Sequence, residues 1–123
     1  MKATDLMIGD WVIRKGHSKE QMYIISIDDV CDTVQLDLDG IAIRDKIFNI
    51  EPIPLTSEIL EKNGFEGKQF YGELLCGGWQ IMCDCKRLAA RSEDGWLINI
   101  TCENVHELQH ALRLCGIDKE IKL

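Results

Sequence analysis

The sequence predicts an α+β protein. Residues 1–51 read as an N-terminal SH3-like small β-barrel, and residues 55–123 as a short helix, a three-stranded antiparallel β-meander and a C-terminal amphipathic helix, packed either as a separate unit or as one domain with the barrel. Three observations lead there. Residues 11–50 alternate apolar and polar positions in short runs divided by turn residues, which is the pattern of half-buried strands. Glu51-Pro52-Ile53-Pro54-Leu55 holds the backbone extended and lacks two ladder donors, so it marks a boundary. Near the C-terminus, Val105, Leu108, Leu112 and Cys115 recur at helical spacing and form one apolar stripe.

The elements follow in order. Trp11 to Arg14 comes after an Ile8-Gly9-Asp10 turn, and Gln21 to Ile27 is rich in β-branched and aromatic residues. Thr33 to Leu38 sets Val34, Leu36 and Leu38 on one face, Asp39-Gly40 supplies a two-residue hairpin turn, and Ile41 and Ile43 resume the inward face. A last strand at Ile47 to Ile50 completes about five strands in some forty residues, the rhythm of an SH3-like barrel. Gln35 to Gly40 partly imitates a calcium loop, but Lys46 stands where the closing Glu belongs. Beyond the prolines, Thr56 caps a helix of about two turns that ends at Asn63-Gly64. Phe70 to Cys76, Trp79 to Arg87 and Trp96 to Ile100 form the meander, joined at Gly77-Gly78 and at Glu93-Asp94-Gly95. Thr101 is the expected cap of the final helix, Glu103 complements its positive end, and Gly116 stops it.

Composition narrows the function classes. The 123 residues suffice to bury about two-thirds of the unfolded surface. The formal net charge of −7 repels phosphate backbones, so no nucleic acid is expected as a partner, and only Lys86, Arg87 and Arg91 offer a local basic patch. No run approaches the roughly 20 apolar residues that cross a bilayer, and Met1-Lys2-Ala3-Thr4-Asp5 leads into no signal segment, so a cytoplasmic protein with six reduced cysteines and no membrane association is expected.

His106-Glu107-Leu108-Gln109-His110 spells H-E-x-x-H, in which a helix sets two imidazoles one turn apart on a zinc ion and the Glu serves as general base. A helical wheel opposes that chemistry here. At about 100° per residue, His106 and His110 fall nearly opposite the apolar stripe and point to water, with Glu103 and Glu107 beside them. Only Asp118 and Glu120 follow as carboxylates for a third ligand. The residues are therefore expected to form a solvated face, with neither catalytic nor metal-ligating residues and no cofactor.

The cysteines allow a second metal set, Cys83, Cys85, Cys102 and His106, but tight-turn C-x-x-C knuckles are missing. Cys83 and Cys85 continue the face of Trp79 and Ile81, Cys102 extends that of Trp96, Ile98 and Ile100, and Cys115 lies in the helix stripe. All four are expected as small core hydrophobes, with Trp79 and Trp96 as anchors and Trp11 near a barrel edge.

Asp5-Leu6-Met7-Ile8-Gly9-Asp10-Trp11-Val12, then Ile50 to Leu60 with Glu51-Pro52-Ile53-Pro54-Leu55-Thr56 at its centre, Asn63-Gly64-Phe65 and Val105-His106-Glu107-Leu108-Gln109 together resemble a family of small uncharacterised proteins of gut Bacteroidetes and their phages. The resemblance spans most of the chain. It implies a phage or mobile-element origin and no particular activity. In that family the helix commonly reads Val-His-Gln-Leu-Gln-Asn, so Glu107 and His110 are departures that create the protease-like string. The expected function is a non-enzymatic protein-binding or accessory role with a protein partner. A zinc hydrolase using His106, Glu107 and His110 is one alternative, and a nucleic-acid-associated SH3-like module is another.

Overall fold

The computed structural model describes residues 2–65, 69–72, 79–92, 95, 97–117 and 120–123, with the side chains of 17–19, 69–72 and 79 outside that description. The chain is α+β, with antiparallel strands in two sheets and two helices. It divides into one unit over Met1–Ile53 and another over Pro54–Leu123.

The first unit holds β1 (Trp11–Arg14), β2 (His17–Asp28), β3 (Thr33–Leu38), β4 (Ile41–Lys46) and β5 (Ile50–Pro52), in the order β4-β3-β2-β1-β5. The sheet is open, which corrects the closed barrel expected from sequence: β4 and β5 are its two edges. β5 has only three residues and ends on Pro52, which carries no N–H to continue a ladder. A register shift between Ile24 and Ser26 in the β2–β3 pair is a bulge of the kind that bends a long strand. Asp39 and Gly40 have φ of 50° and 84°, the left-handed pair that the twist of a tight hairpin demands, and the Asp37 side chain accepts from the Gly40 N–H. The expected strand at Ile47 to Ile50 is instead a 3-10 turn, Ile47–Asn49, that leads into β5. Val12, Met22, Ile24, Val34, Leu36, Ile47 and Ile50 form the core with Leu6. Ile43 packs partly against it, whereas Ile41, beside the turn, lies beyond the core's reach and is exposed, contrary to expectation.

In the second unit α1 (Ser57–Lys62) starts where Thr56 Oγ1 accepts from Ile59 N–H. At its end the buried Asn63 side chain donates to Ile59 O and Lys122 O and accepts from Lys122 N–H, fastening the last residues of the chain. The sheet is a four-stranded meander, β6 (Gln69–Gly72), β7 (Trp79–Cys83), β8 (Arg87–Ser92) and β9 (Leu97–Thr101), in the order β6-β7-β8-β9. Three strands were expected because Trp79 to Arg87 read as one. Asp84 breaks it: its Oδ1 accepts from both Lys86 N–H and Arg87 N–H, and Cys85 takes the left-handed conformation, φ 69°. The expected turns at Gly77-Gly78 and Glu93-Asp94, Cys76, and the side chains of Trp79 and Trp96 lie outside the described residues.

Helix α2 (Val105–Leu114) begins at Asn104, three residues after the cap expected at Thr101, because β9 runs through Thr101. Glu107, rather than Glu103, serves the helix start. Gly116, φ 74°, ends the helix: its N–H donates to Arg113 O while Ile117 N–H donates to Leu112 O, so carbonyls that the last turn leaves open are satisfied. Val105, Leu108, Leu112 and Cys115 are all buried, as the stripe predicts.

Candidate functional site

The HELQH helix differs from its wheel. His106 is 6% exposed and Gln109 8%, so burial extends well beyond the stripe onto the face expected in water. A wheel registers only a helix's own residues, and the covering surface comes from elsewhere in the chain. The His106 and His110 rings meet edge to face with centroids 5.5 Å apart. Glu107 caps the start of its own helix. Its Oε1 accepts from Glu103 N–H at 3.2 Å, Asn104 N–H at 3.1 Å and Asn104 Nδ2 at 2.9 Å. A carboxylate so engaged satisfies donors at the helix start, the N3 half of a capping box, and complements the positive end of the dipole. Among the described residues no three His, Cys, Asp or Glu side chains are grouped to hold a metal ion.

The cysteines are divided by the turn at Asp84. Cys83 and Cys102 are almost fully buried, as their strand faces predict, and Cys115 is buried too. Cys85, expected in the core, sits half-buried in the turn because its backbone leaves the strand there. The hydrogen bond from the Cys102 thiol draws the Cys83 thiol down to about 7 against the opposing effect of burial, with the Cys85 N–H assisting. Cys102 is pushed up by that same bond and by burial. Burial alone raises Cys115. The Cys83 and Cys102 sulfurs are both sealed from solvent.

The outward face of the second sheet is open. Alternation along β7 and β8 sends Ile81, Cys83, Leu88 and Ala90 inward and Gln80, Met82, Arg87, Ala89 and Arg91 outward. Ladder pairing sets Gln80, Arg91 and Leu97 in one row across three strands and Met82, Ala89 and Asn99 in the next. Leu97 is 75% exposed and Met82 49%. Together with Gln80, Ala89, Ala90 and Arg91 they line a shallow, largely apolar cleft of about 260 Å³. The two arginines are held by neutral side chains: Arg87 donates from Nε and Nη2 to Asn99 Oδ1 at 3.4 and 3.2 Å, and Arg91 Nη2 donates to Gln80 Oε1 at 3.3 Å. Neither guanidinium group forms a salt bridge among the described residues, in a chain of net charge −7.

Sequence reasoning singled out Arg87 and Arg91 but missed Met82, Ala89 and Leu97 as a face. The available signal was Asp84 as a turn former, after which Arg87, Ala89 and Arg91 alternate against Leu88 and Ala90. The chain matches no protein-family model, no curated protein and no solved structure.

Proposed function

We propose that the chain is a non-enzymatic protein-binding or accessory protein whose working surface is the outward face of the second sheet. One observation carries this reading: an exposed apolar cleft formed by Met82, Ala89 and Leu97 has Arg91 in its lining and Arg87 further along the same face of β8, and among the described residues both guanidinium groups are bonded only to neutral side chains. Exposed apolar surface rimmed by polar groups is costly to leave in water and characterises surfaces that meet another protein. Arginine beside an apolar centre is also the composition of an energetic anchor.

The first unit is proposed as SH3-like, supported by five antiparallel strands, the long β2 bent by its bulge, with β1 between β2 and β5, an arrangement that curls a small sheet toward closure. At its first strand Trp11 stacks edge to face with Tyr23, centroids 5.4 Å apart, which supports a structural role for that indole. A phage or mobile-element origin and a cytoplasmic location belong to the same proposal, the first supported by the family resemblance and the second by the thiol-rich core. No helix among the described residues is long and apolar enough to cross a membrane.

A photo-crosslinking residue at Ala89, compared with one at the exposed Val30, tests the surface in the organism that encodes the chain. The expected result is one defined protein adduct from position 89 that is lost in Leu97→Asp. Equal yields from both positions, or adducts indifferent to Leu97→Asp, would remove the sheet face from the proposal.

A further inference from the structure

The free side of β9 says how a partner meets this face. Cys102 N–H donates to Lys86 O at 2.8 Å. Main-chain groups alternate sides along an antiparallel strand, so Ile98 and Ile100 likewise turn theirs toward β8, and Leu97, Asn99 and Thr101 turn theirs outward. Glu103, the next residue of that outward set, has its carbonyl taken by Leu55 N–H at 2.9 Å. The outward main-chain groups of Leu97, Asn99 and Thr101 have no protein partner among the described residues, and all three residues are exposed. A bare edge of this kind is normally blunted by charge, proline or a bulge. Leu97-Ile98-Asn99-Ile100-Thr101 has none of the three.

We infer that an extended segment of a partner protein adds to β9 as the fifth strand of this sheet, alternating apolar residues toward Ile98 and Ile100 with acidic residues toward Arg87 and Arg91. This rests on the protein-binding reading above and specifies its mode and chemistry. Both halves of the alternation follow from the two faces. Ile98 and Ile100 are half-buried, so apolar neighbours on the inward side complete their cover. On the outward side, β8 lies two strand spacings, about 10 Å, from the added strand, a gap that an extended arginine and a glutamate span together. A polypeptide fits better than a phosphate chain, because three outward peptide groups ask for peptide partners and the cleft that Arg91 helps to line is largely apolar.

The test uses the whole protein, ¹⁵N-labelled and methyl-labelled, with a capped hexapeptide of alternating Val and Glu as the probe. Binding is expected to slow amide exchange at least tenfold at Leu97, Asn99 and Thr101 while leaving Ile98 and Ile100, already bonded to β8, unchanged. Asn99→Pro removes one outward N–H and is expected to weaken binding at least tenfold. Since a proline can disturb the strand itself, a peptide N-methylated at alternate residues makes the same deletion from the other side and is expected to lose affinity equally. Arg91→Glu is expected to transfer preference to a Val-Lys peptide. Methyl shifts at Met82 and Ala89 with no change in exchange at the three amides would overturn strand addition and leave the surface reading standing. No shift at either place would overturn strand addition and count against the surface as well. Concentration-dependent protection of the three amides without peptide would assign the edge to a second copy of the chain, and binding of a single-stranded oligonucleotide at Arg87 and Arg91 in place of the peptide would assign it to nucleic acid; either result overturns the proposed partner.

Discussion

In the N-terminal sheet the edge strand β4 ends in Arg44-Asp45-Lys46, and the opposite edge, β5, is three residues long and finishes on Pro52; in the C-terminal sheet the edge strand β9 carries no charge, no proline and no bulge. The inward faces of the two sheets are alike. Val12, Met22, Ile24 and Leu36 in one, and Ile81, Leu88, Leu108 of the adjoining helix and Leu112 in the other, are all essentially inaccessible. The guard on β4 is also fastened. Asp45 accepts from Arg14 Nε at 2.7 Å, Asn49 Nδ2 at 2.8 Å and its neighbour Lys46 N–H at 2.7 Å. Equal cores with unequal edges separate two jobs of a sheet, since edge protection adds little to folding and mainly prevents pairing with other chains, and the proposed strand addition at β9 rests on that contrast.

The largest expected effects probe the shared half of the comparison. Leu36→Ala and Leu108→Ala should each cost about 2 to 5 kcal/mol in urea melts, and a loss below about 1 kcal/mol at either site would show that the two cores are not equivalent. Asn63→Ala removes three hydrogen bonds to Ile59 and Lys122 and leaves peptide groups without their partner, a cost of about 1 to 3 kcal/mol. Its signature is faster amide exchange at Lys122. Glu107→Ala deletes the acceptor at the start of α2 and should cost about 1 kcal/mol, while Glu107→Gln, which keeps an acceptor oxygen, should cost less. An abolished peptidase activity in the Gln variant, with stability intact, would instead restore the zinc hydrolase.

The smaller effects probe the edges. Burial disfavours the Asp45 charge, yet the hydrogen bonds from Asn49 and Arg14 outweigh it and hold the carboxyl below its ordinary value of 3.8. A group with a depressed folded pKa stabilises the fold above its unfolded pKa, and that contribution is lost as pH falls from 3.8 through the lowered value. Asp45→Asn should therefore flatten the stability profile of the protein below pH 4 while changing little of its slope at neutral pH. Leu97→Lys should leave stability within about 0.5 kcal/mol and give β9 the kind of guard that β4 already has, so its expected readout is lost edge pairing in an unaltered fold. A large destabilisation would mean that Leu97 packs internally.

Local chemistry made parts of this fold legible. Asp39-Gly40 could be read because a tight hairpin needs two left-handed residues, and Thr56 with Asn63-Gly64 because a helix must satisfy its ends. Cys85 hid the β7–β8 turn, since a non-glycine residue in left-handed conformation carries no composition signal and only Asp84 announced it. Asn104 was passed over as a cap because Thr101 looked equally suitable, and only the length of β9 decides between them. His106 is buried although it lies off the helix's apolar stripe, and a wheel includes nothing beyond the helix's own residues. For the candidate site, the charges of Arg87 and Arg91 were plain, but the row of Arg91 with Gln80 and Leu97 and the neighbouring row of Met82, Ala89 and Asn99 exist only through cross-strand register.

The distribution of sulfur has a practical consequence. Cys31 is exposed in the first unit, whereas Cys83, Cys102 and Cys115 are buried in the second. An alkylating reagent therefore reaches Cys31 in the folded chain, which gives a reference reaction in the same tube, and reaches Cys83, Cys102 and Cys115 only during transient opening around them. Mass spectrometry of native samples quenched over time thus reads opening free energies at the end of β7, after β9 and at the end of α2, with no residue substituted and with every probe already part of the chain.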